Sequence, residues 1–450
     1  MSTYSPPVYP RSATRDSYPP LLPIYPPPVS AYPNPFPTPP QPLPFPNPRY
    51  AVSTHLVPAA HLRCTPLAPP PPGPAPASAS KEERRARNAE RGAWVEQQAQ
   101  APRGRHERVL WSAVNRYVHR DPGASATGTT LFLAHANGFP KETWEPALLD
   151  LLTSPAGGAV DEIWAWEATH HGASCVLNLN VLNTPLSACD WSDDARDVLN
   201  FLLHFLPSSV APDALPAVLP RVAPEESALR KVRGFPERRL LAAGHSFGGC
   251  SCTWAALTHP RLFTALTLVD PVLVRFGPAI NPKDPNGPAL IGGAISRRDS
   301  WASREEAAAS FAASPFFAAW DPRVLAAYVA HGLTPVSASS SAVRLAMPPL
   351  QEALVFAGTP TSGRAWDMLP GLDARIPLRW VVPGKAGEPE IGGPGGTQER
   401  VWRRPANASN VRIAEAGHLI VQQAPHEIAR EVGRMVEASV ADWGPPTAKL

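Results

Sequence analysis

The chain has 450 residues and a formal net charge of +3, from 41 basic and 38 acidic side chains. That near balance leaves no electrostatic footprint for nucleic acid or an anionic membrane surface. It contains no run of about 18 apolar residues of the kind a spanning helix needs. The five cysteines, odd in number and without zinc-site spacing, fit free thiols in a reducing compartment better than a secreted disulfide framework.

Prolines crowd the start of the chain: 26 of the 59 lie in residues 1–80. Such density breaks helices and central strands and favours extended polyproline conformations, so residues 1–80 read as disordered. Pro6-Pro7-Val8-Tyr9 matches a short ligand pattern for aromatic-grooved adaptor domains, a match that comes cheaply in a Pro/Tyr-rich tail. The N-terminus lacks the apolar core of a signal peptide, and its prolines would break an amphipathic targeting helix. Residues 81–105 shift to dense charge and read as a solvated helix or linker. The expected arm is therefore residues 1–105, with the folded domain over 106–443 and a flexible tail over 444–450.

From His106 onward, strand and helix signals alternate. Val109–Val118 suits an edge strand or hairpin, and Asp121-Pro122-Gly123 a turn. Thr129–Ala134 is a short apolar run, hence a buried strand, and a helix follows from about Lys141 to Leu152. Ile163–Ala168 is another strand, followed by a long loop to Cys189. Ser192 reads as an N-cap, with Asp193 and Asp194 in the first turn, where the helix dipole favours anions. Pro207–Glu237 is a Pro-rich insertion. Leu240–Gly244 ends abruptly in Gly244-His245-Ser246-Phe247-Gly248-Gly249, and Cys250–His259 reads as a helix closed by Pro260. Leu266–Val269 is a strand ending in Asp270-Pro271. Residues 274–373 break the alternation and look helical. Ile376–Val382 and Val411–Ala414 are the last strands, before Gly417-His418 and an amphipathic helix marked by Ile428, Val432, Met435 and Val436.

Alternating strands and helices imply a parallel sheet covered on both faces, with sites at the carboxyl ends of its strands. Ser246, Asp270, His418 and the loop His135–Pro140 all follow a strand directly. Strand, tight turn and helix around Gly-x-Ser-x-Gly is the context of a nucleophile elbow, in which Gly244 and Gly248 avoid a backbone collision. Serine needs a base that is itself oriented by a third group. The candidate base is His418. The candidate acid is Asp270, fixed at a strand end before proline, with Glu388 and Glu390 in a Gly/Pro-rich loop as alternatives. An oxyanion hole requires two backbone N–H donors, expected from Phe247 and Asn137, with Ala136 the alternative in that loop. His135 reads as a structural loop residue. His170-His171 reads as an exposed polar loop, because no third metal ligand is spaced to join it. No metal or cofactor is expected.

Gly244–Gly249, a following Asp-Pro and a late Gly-His resemble the α/β-hydrolase superfamily. Ala134-His135-Ala136-Asn137-Gly138-Phe139-Pro140-Lys141-Glu142, Gly172-Ala173-Ser174-Cys175-Val176-Leu177-Asn178 and Asp190-Trp191-Ser192-Asp193-Asp194-Ala195-Arg196-Asp197 are similar to fungal peroxisomal serine hydrolases related to toxin-biosynthesis proteins and a yeast peroxisomal lipase. The likeness covers about Arg108 to Ala438. Where that group often has Glu-Pro after the sixth strand, this chain has Asp270-Pro271. The resemblance implies an α/β-hydrolase fold with residues 274–373 as an inserted helical lid. Within the lid, Ser303-Arg304-Glu305-Glu306 reads as a capping box. Phe316, Phe317 and Trp320 either line an apolar pocket or form lid core.

These features lead to a serine hydrolase of an apolar acyl ester or thioester. An acyltransferase or carbon–carbon hydrolase on the same residues, and a non-catalytic scaffold with a Pro-rich recruiting arm, are the competing readings. Ala448-Lys449-Leu450 resembles a Ser-Lys-Leu peroxisomal address, which implies an import receptor as partner and the peroxisome as location, with the cytoplasm as the alternative.

Overall fold

The computed structural model describes residues 2–6, 21–65, 67–76, 78–100, 104–121, 128–182, 189–274, 286–359 and 362–441. Its strands, in chain order, are β1 (Tyr50–Pro58), β2 (Trp111–His119), β3 (Thr129–Ala134), β4 (Glu162–Trp166), β5 (Arg239–His245), β6 (Ala265–Val269), β7 (Ser300–Trp301), β8 (Leu333–Pro335), β9 (Val343–Leu345), β10 (Leu378–Pro383) and β11 (Ala408–Ile413). The large sheet is ordered β1-β2-β4-β3-β5-β6-β10-β11. Its pairs are parallel except β1/β2 and β2/β4, so β2 alone among the sheet's described strands runs against the rest.

The central strands are apolar on both faces because both faces are covered. Phe132, Leu240, Ala242, Leu266 and Leu268 point into one core, packed beneath helices Trp191–His204 and Phe247–Thr258. Leu131, Leu133, Leu241, Ala243, Ala265 and Val269 point into the other, beneath helices Glu145–Thr153 and Pro425–Ala441. The period of two along each strand thus splits one sheet between two cores. This is the expected α/β fold.

The expected arm is where the structure departs most. Tyr50–Pro58, read as part of it, pairs antiparallel with β2 along its whole length and becomes the edge of the sheet, which moves β2 inside. Its β-branched and aromatic residues outweigh a proline load confined to its flanks and its last position. Lys81–Ala99 is a helix with a complete capping box between Ser80 and Glu83. It buries Trp94 and Val95 against helices Asn286–Ser296 and Pro349–Ala357. Residues 7–20, which hold most of the adaptor-ligand pattern, lie outside the described residues.

Other expectations are adjusted locally. The long loop before Cys189 contains the helix Gly172–Leu182. The N-cap of the next helix is Asp190, which accepts from the Ser192 N–H at 2.8 Å, and Ser192 lies inside the first turn. The Pro-rich insertion holds the helix Pro224–Arg233 and reaches back to β1, where the Leu56 N–H donates to the Ala217 carbonyl at 2.7 Å. The lid is not purely helical: β7, β9 and β8 form a small antiparallel sheet within it. Ser303 caps its helix by accepting from the Glu306 N–H at 3.2 Å, but the Glu306 carboxylate turns to the Ala302 N–H at 2.7 Å, so the reciprocal bond of a capping box is displaced by one residue.

Candidate active site

β5 ends in the middle of the sheet, and the chain reverses there into helix Phe247–Thr258. Ser246 sits at the reversal with φ 54° and ψ −115°. Non-glycine residues avoid that region at a cost of roughly 1–3 kcal/mol, so the surroundings must hold it. They do: the Ser246 N–H donates to the Val269 carbonyl at 3.0 Å, and the Ser246 carbonyl accepts from Val272 at 3.1 Å. A Cβ on Gly244 would come within 2.6 Å of the Gly248 carbonyl oxygen, and one on Gly248 within 2.6 Å of the Ala134 carbonyl. Both glycines are required by close backbone approach.

The neighbouring strand ends bring in the partners. Asp270 follows β6, also at positive φ (33°), with its N–H donating to the Val381 carbonyl at 2.8 Å. His418 follows β11. Its Nε2 lies 3.0 Å from Ser246 Oγ, and its Nδ1 lies 2.7 Å from Asp270 Oδ2. With Asp270 accepting, the imidazole carries its proton on Nδ1 and leaves Nε2 free to accept from the serine hydroxyl. Such a line can draw the hydroxyl proton away as the oxygen attacks an electrophile.

Of the three carboxylates weighed, Asp270 meets the imidazole. Glu388 instead accepts from the backbone N–H of His418 at 3.4 Å, and Glu390 from the Thr397 N–H at 2.9 Å. Asp270 is fully desolvated, which by itself would push its carboxyl pKa up. The Arg400 guanidinium and the His418 contact outweigh that and hold it below the ordinary value.

Two side chains that the sequence did not single out complete the frame. Arg400, on helix Gly396–Val401, donates from Nη2 to Asp270 Oδ1 at 2.5 Å. It is separated from Asp270 by 130 positions and belongs to no motif. His245, immediately before the serine, donates from Nε2 to the His418 carbonyl at 2.9 Å. Burial, reinforced by His418, pushes its pKa down to about 3, so it acts as a neutral donor.

The loop His135–Pro140 lies beside the elbow, where the Gly248 N–H donates to the His135 carbonyl at 3.1 Å. Among the described residues, the N–H groups of Phe247, Ala136 and Asn137 meet no acceptor. The Asn137 side chain is committed elsewhere: Oδ1 accepts from His171 Nε2 at 2.9 Å, and Nδ2 donates to the Glu352 carbonyl at 3.3 Å. His135 is a buried scaffold residue, with Nε2 accepting from the Ala168 N–H at 3.1 Å. His170 and His171 are buried rather than exposed. His170 pairs with Gln351 Oε1 at 2.9 Å, so both histidines contact side-chain amides. The one described cluster able to gather a metal ion, Glu415, His426 and Glu427, does not include them.

Phe139 and Ala136 of this loop share a core with Trp301, Phe311, Trp320 and Tyr328 of the lid. The Phe139 and Trp320 rings meet edge to face at 5.3 Å. Of the three lid aromatics weighed for a pocket, Trp320 is buried in this core, Phe317 packs on it, and Phe316 is 54% exposed.

Residues 131–431 match the alpha/beta hydrolase family. The chain belongs to that family. Among curated members, it is 29% identical over 260 residues to the type I acyl-CoA thioesterase mpaH of Penicillium brevicompactum, a match spanning 58% of this chain and 45% of that one. The chain thus spans less than half the length of that relative. It is 30% identical over 152 residues to the peroxisomal membrane protein LPX1 of Saccharomyces cerevisiae, covering 33% of this chain and 32% of that protein. The crystal structure of peroxisomal alpha-beta-hydrolase Lpx1 from the same yeast superposes with a TM-score of 0.61 at 18% identity, covering 89% of this chain and 92% of the other. At that identity the likeness is one of fold, and it extends beyond the segment matched by sequence.

Proposed function

We propose that this alpha/beta hydrolase cleaves acyl esters or acyl thioesters through an acyl-serine intermediate, with Ser246 as nucleophile, His418 as base and Asp270 as the orienting acid. The observation that carries the reading is the hydrogen-bonded line from Ser246 Oγ through His418 to Asp270, drawn from the ends of β5, β11 and β6. Ser246 Oγ attacks the acyl carbon while its proton passes to His418 Nε2. The tetrahedral intermediate collapses, and that proton leaves with the alcohol or thiol. Water, deprotonated by His418, then attacks the acyl-serine and releases the acid. The oxyanion is received by the backbone N–H groups of Phe247 and Asn137, Ala136 being the alternative in the loop. The relative named as an acyl-CoA thioesterase favours the thioester branch. The yeast relative LPX1, named as peroxisomal, together with Ala448-Lys449-Leu450 as the import address, supports a peroxisomal location.

Labelling with a fluorophosphonate probe tests the reaction class. The wild-type chain is expected to take up one equivalent, Ser246→Ala none, and Asp270→Asn to react slower by about 10³-fold or more. Equal labelling of Ser246→Ala would overturn the assignment. A panel of acyl esters and acyl-CoA thioesters of graded length then separates the two substrate branches.

A further inference from the structure

We propose that Arg400 is a positioning residue for this site, clamping Asp270 in the ionised, singly oriented state that keeps the His418 proton on Nδ1. The inference rests on the triad reading above. Asp270 divides its two oxygens between two partners. Oδ2 meets His418 Nδ1 at 2.7 Å and Oδ1 meets Arg400 Nη2 at 2.5 Å. The carboxylate is 2% exposed and the Arg400 side chain is fully buried. A buried carboxylate without a cation tends to neutralise, whereas one paired on both oxygens stays charged and cannot rotate.

Arg400 is itself held in place. Its guanidinium reaches the Ile391 carbonyl at 3.3 Å, from the glycine-rich stretch after β10, and Thr397 Oγ1 at 3.4 Å, on its own helix. The charged and titratable groups that act on Asp270 are Arg400, His418 and His245. Those that act on Arg400 are Asp270, Glu390 and Tyr4. Arg400 is the permanent cation of this set, and His245 stays neutral. An elbow serine and late histidine with a strand-end acid are spelled out in the sequence. The cation that stabilises the acid comes from a segment with no such pattern.

The test uses the full-length chain and a fluorophosphonate, with the labelling rate followed from pH 5 to pH 9 and normalised to the final titre, so that only folded sites are counted. Arg400→Met is expected to label at least tenfold slower at pH 7, with the acidic limb of its rate profile moved up by about one pH unit or more. Arg400→Lys restores the cation, and its acidic limb is expected near the wild-type position. Arg400→Gln, a neutral donor, should behave like Arg400→Met. A wild-type limb in Arg400→Met and Arg400→Gln would overturn the proposal, as would a shifted limb in Arg400→Lys. If no variant yields any titre, Arg400 is a folding residue and the proposal also falls. Failure of the wild-type chain to label at Ser246 would instead refute the triad reading.

Discussion

Asp194 shows how a single buried side chain couples stability to pH. It lies in helix Trp191–His204, beneath the elbow, with Oδ1 accepting from Trp166 Nε1 at 3.3 Å and Oδ2 buried without a partner. Burial pushes its pKa up to about 7. Unfolded, the same carboxyl would release its proton near pH 4. Between about pH 4 and pH 7 the folded chain therefore holds a proton that the unfolded chain has lost, and stability falls as pH rises through that window. Glu145 and Glu167 are also raised to about 7, so the contribution is isolated by comparison. Asp194→Asn should melt at or below the wild-type temperature at pH 5 and above it at pH 8, a crossover on the order of a few kcal/mol. Calorimetry at the two pH values checks this, and parallel melting curves would refute it. Asp194 was legible in the sequence as a helix-start acid. Its burial was not, because the neighbours that desolvate it come from distant segments.

Two elements carry most of the difference between sequence pattern and structure. β1 was hidden by composition: the prolines around it signal disorder, while Tyr50, Val52, Thr54, Leu56 and Val57 signal a strand. The pairing register decided between them, since β2 offers an edge against which nine residues can bond. Deletion of residues 1–60 is expected to leave β2 as an exposed, apolar edge and to give aggregated protein. Size-exclusion chromatography of the truncated chain measures this, and a monomer with unchanged melting temperature would show the strand to be dispensable. The lid is the second case. Its helix start was readable at Ser303, but its aromatic cluster was ambiguous until the packing of Phe139 on Trp320 and Tyr328 resolved it. That shared core ties the lid to the loop proposed to receive the oxyanion.

At the scale of the molecule, the fold gathers groups from several strand ends at one end of the sheet. The peroxisomal proposal belongs here, since an address is read by a receptor and not by the fold. A fluorescently tagged chain is expected in peroxisomes, and removal of Leu450 should return it to the cytoplasm. Peroxisomal signal that survives the deletion would refute the tripeptide's role. By itself the sequence determined the order of elements, the elbow, and the succession Ser246, Asp270, His418, because backbone constraints at a strained turn and at strand ends are local and leave a residue signature. The tertiary structure alone decided that Asp270 rather than Glu388 faces the imidazole, that Arg400 and His245 brace the pair, and that Tyr50–Pro58 closes the sheet. Those outcomes depend on which groups desolvate and pair across distant stretches of the chain, and no local pattern records that.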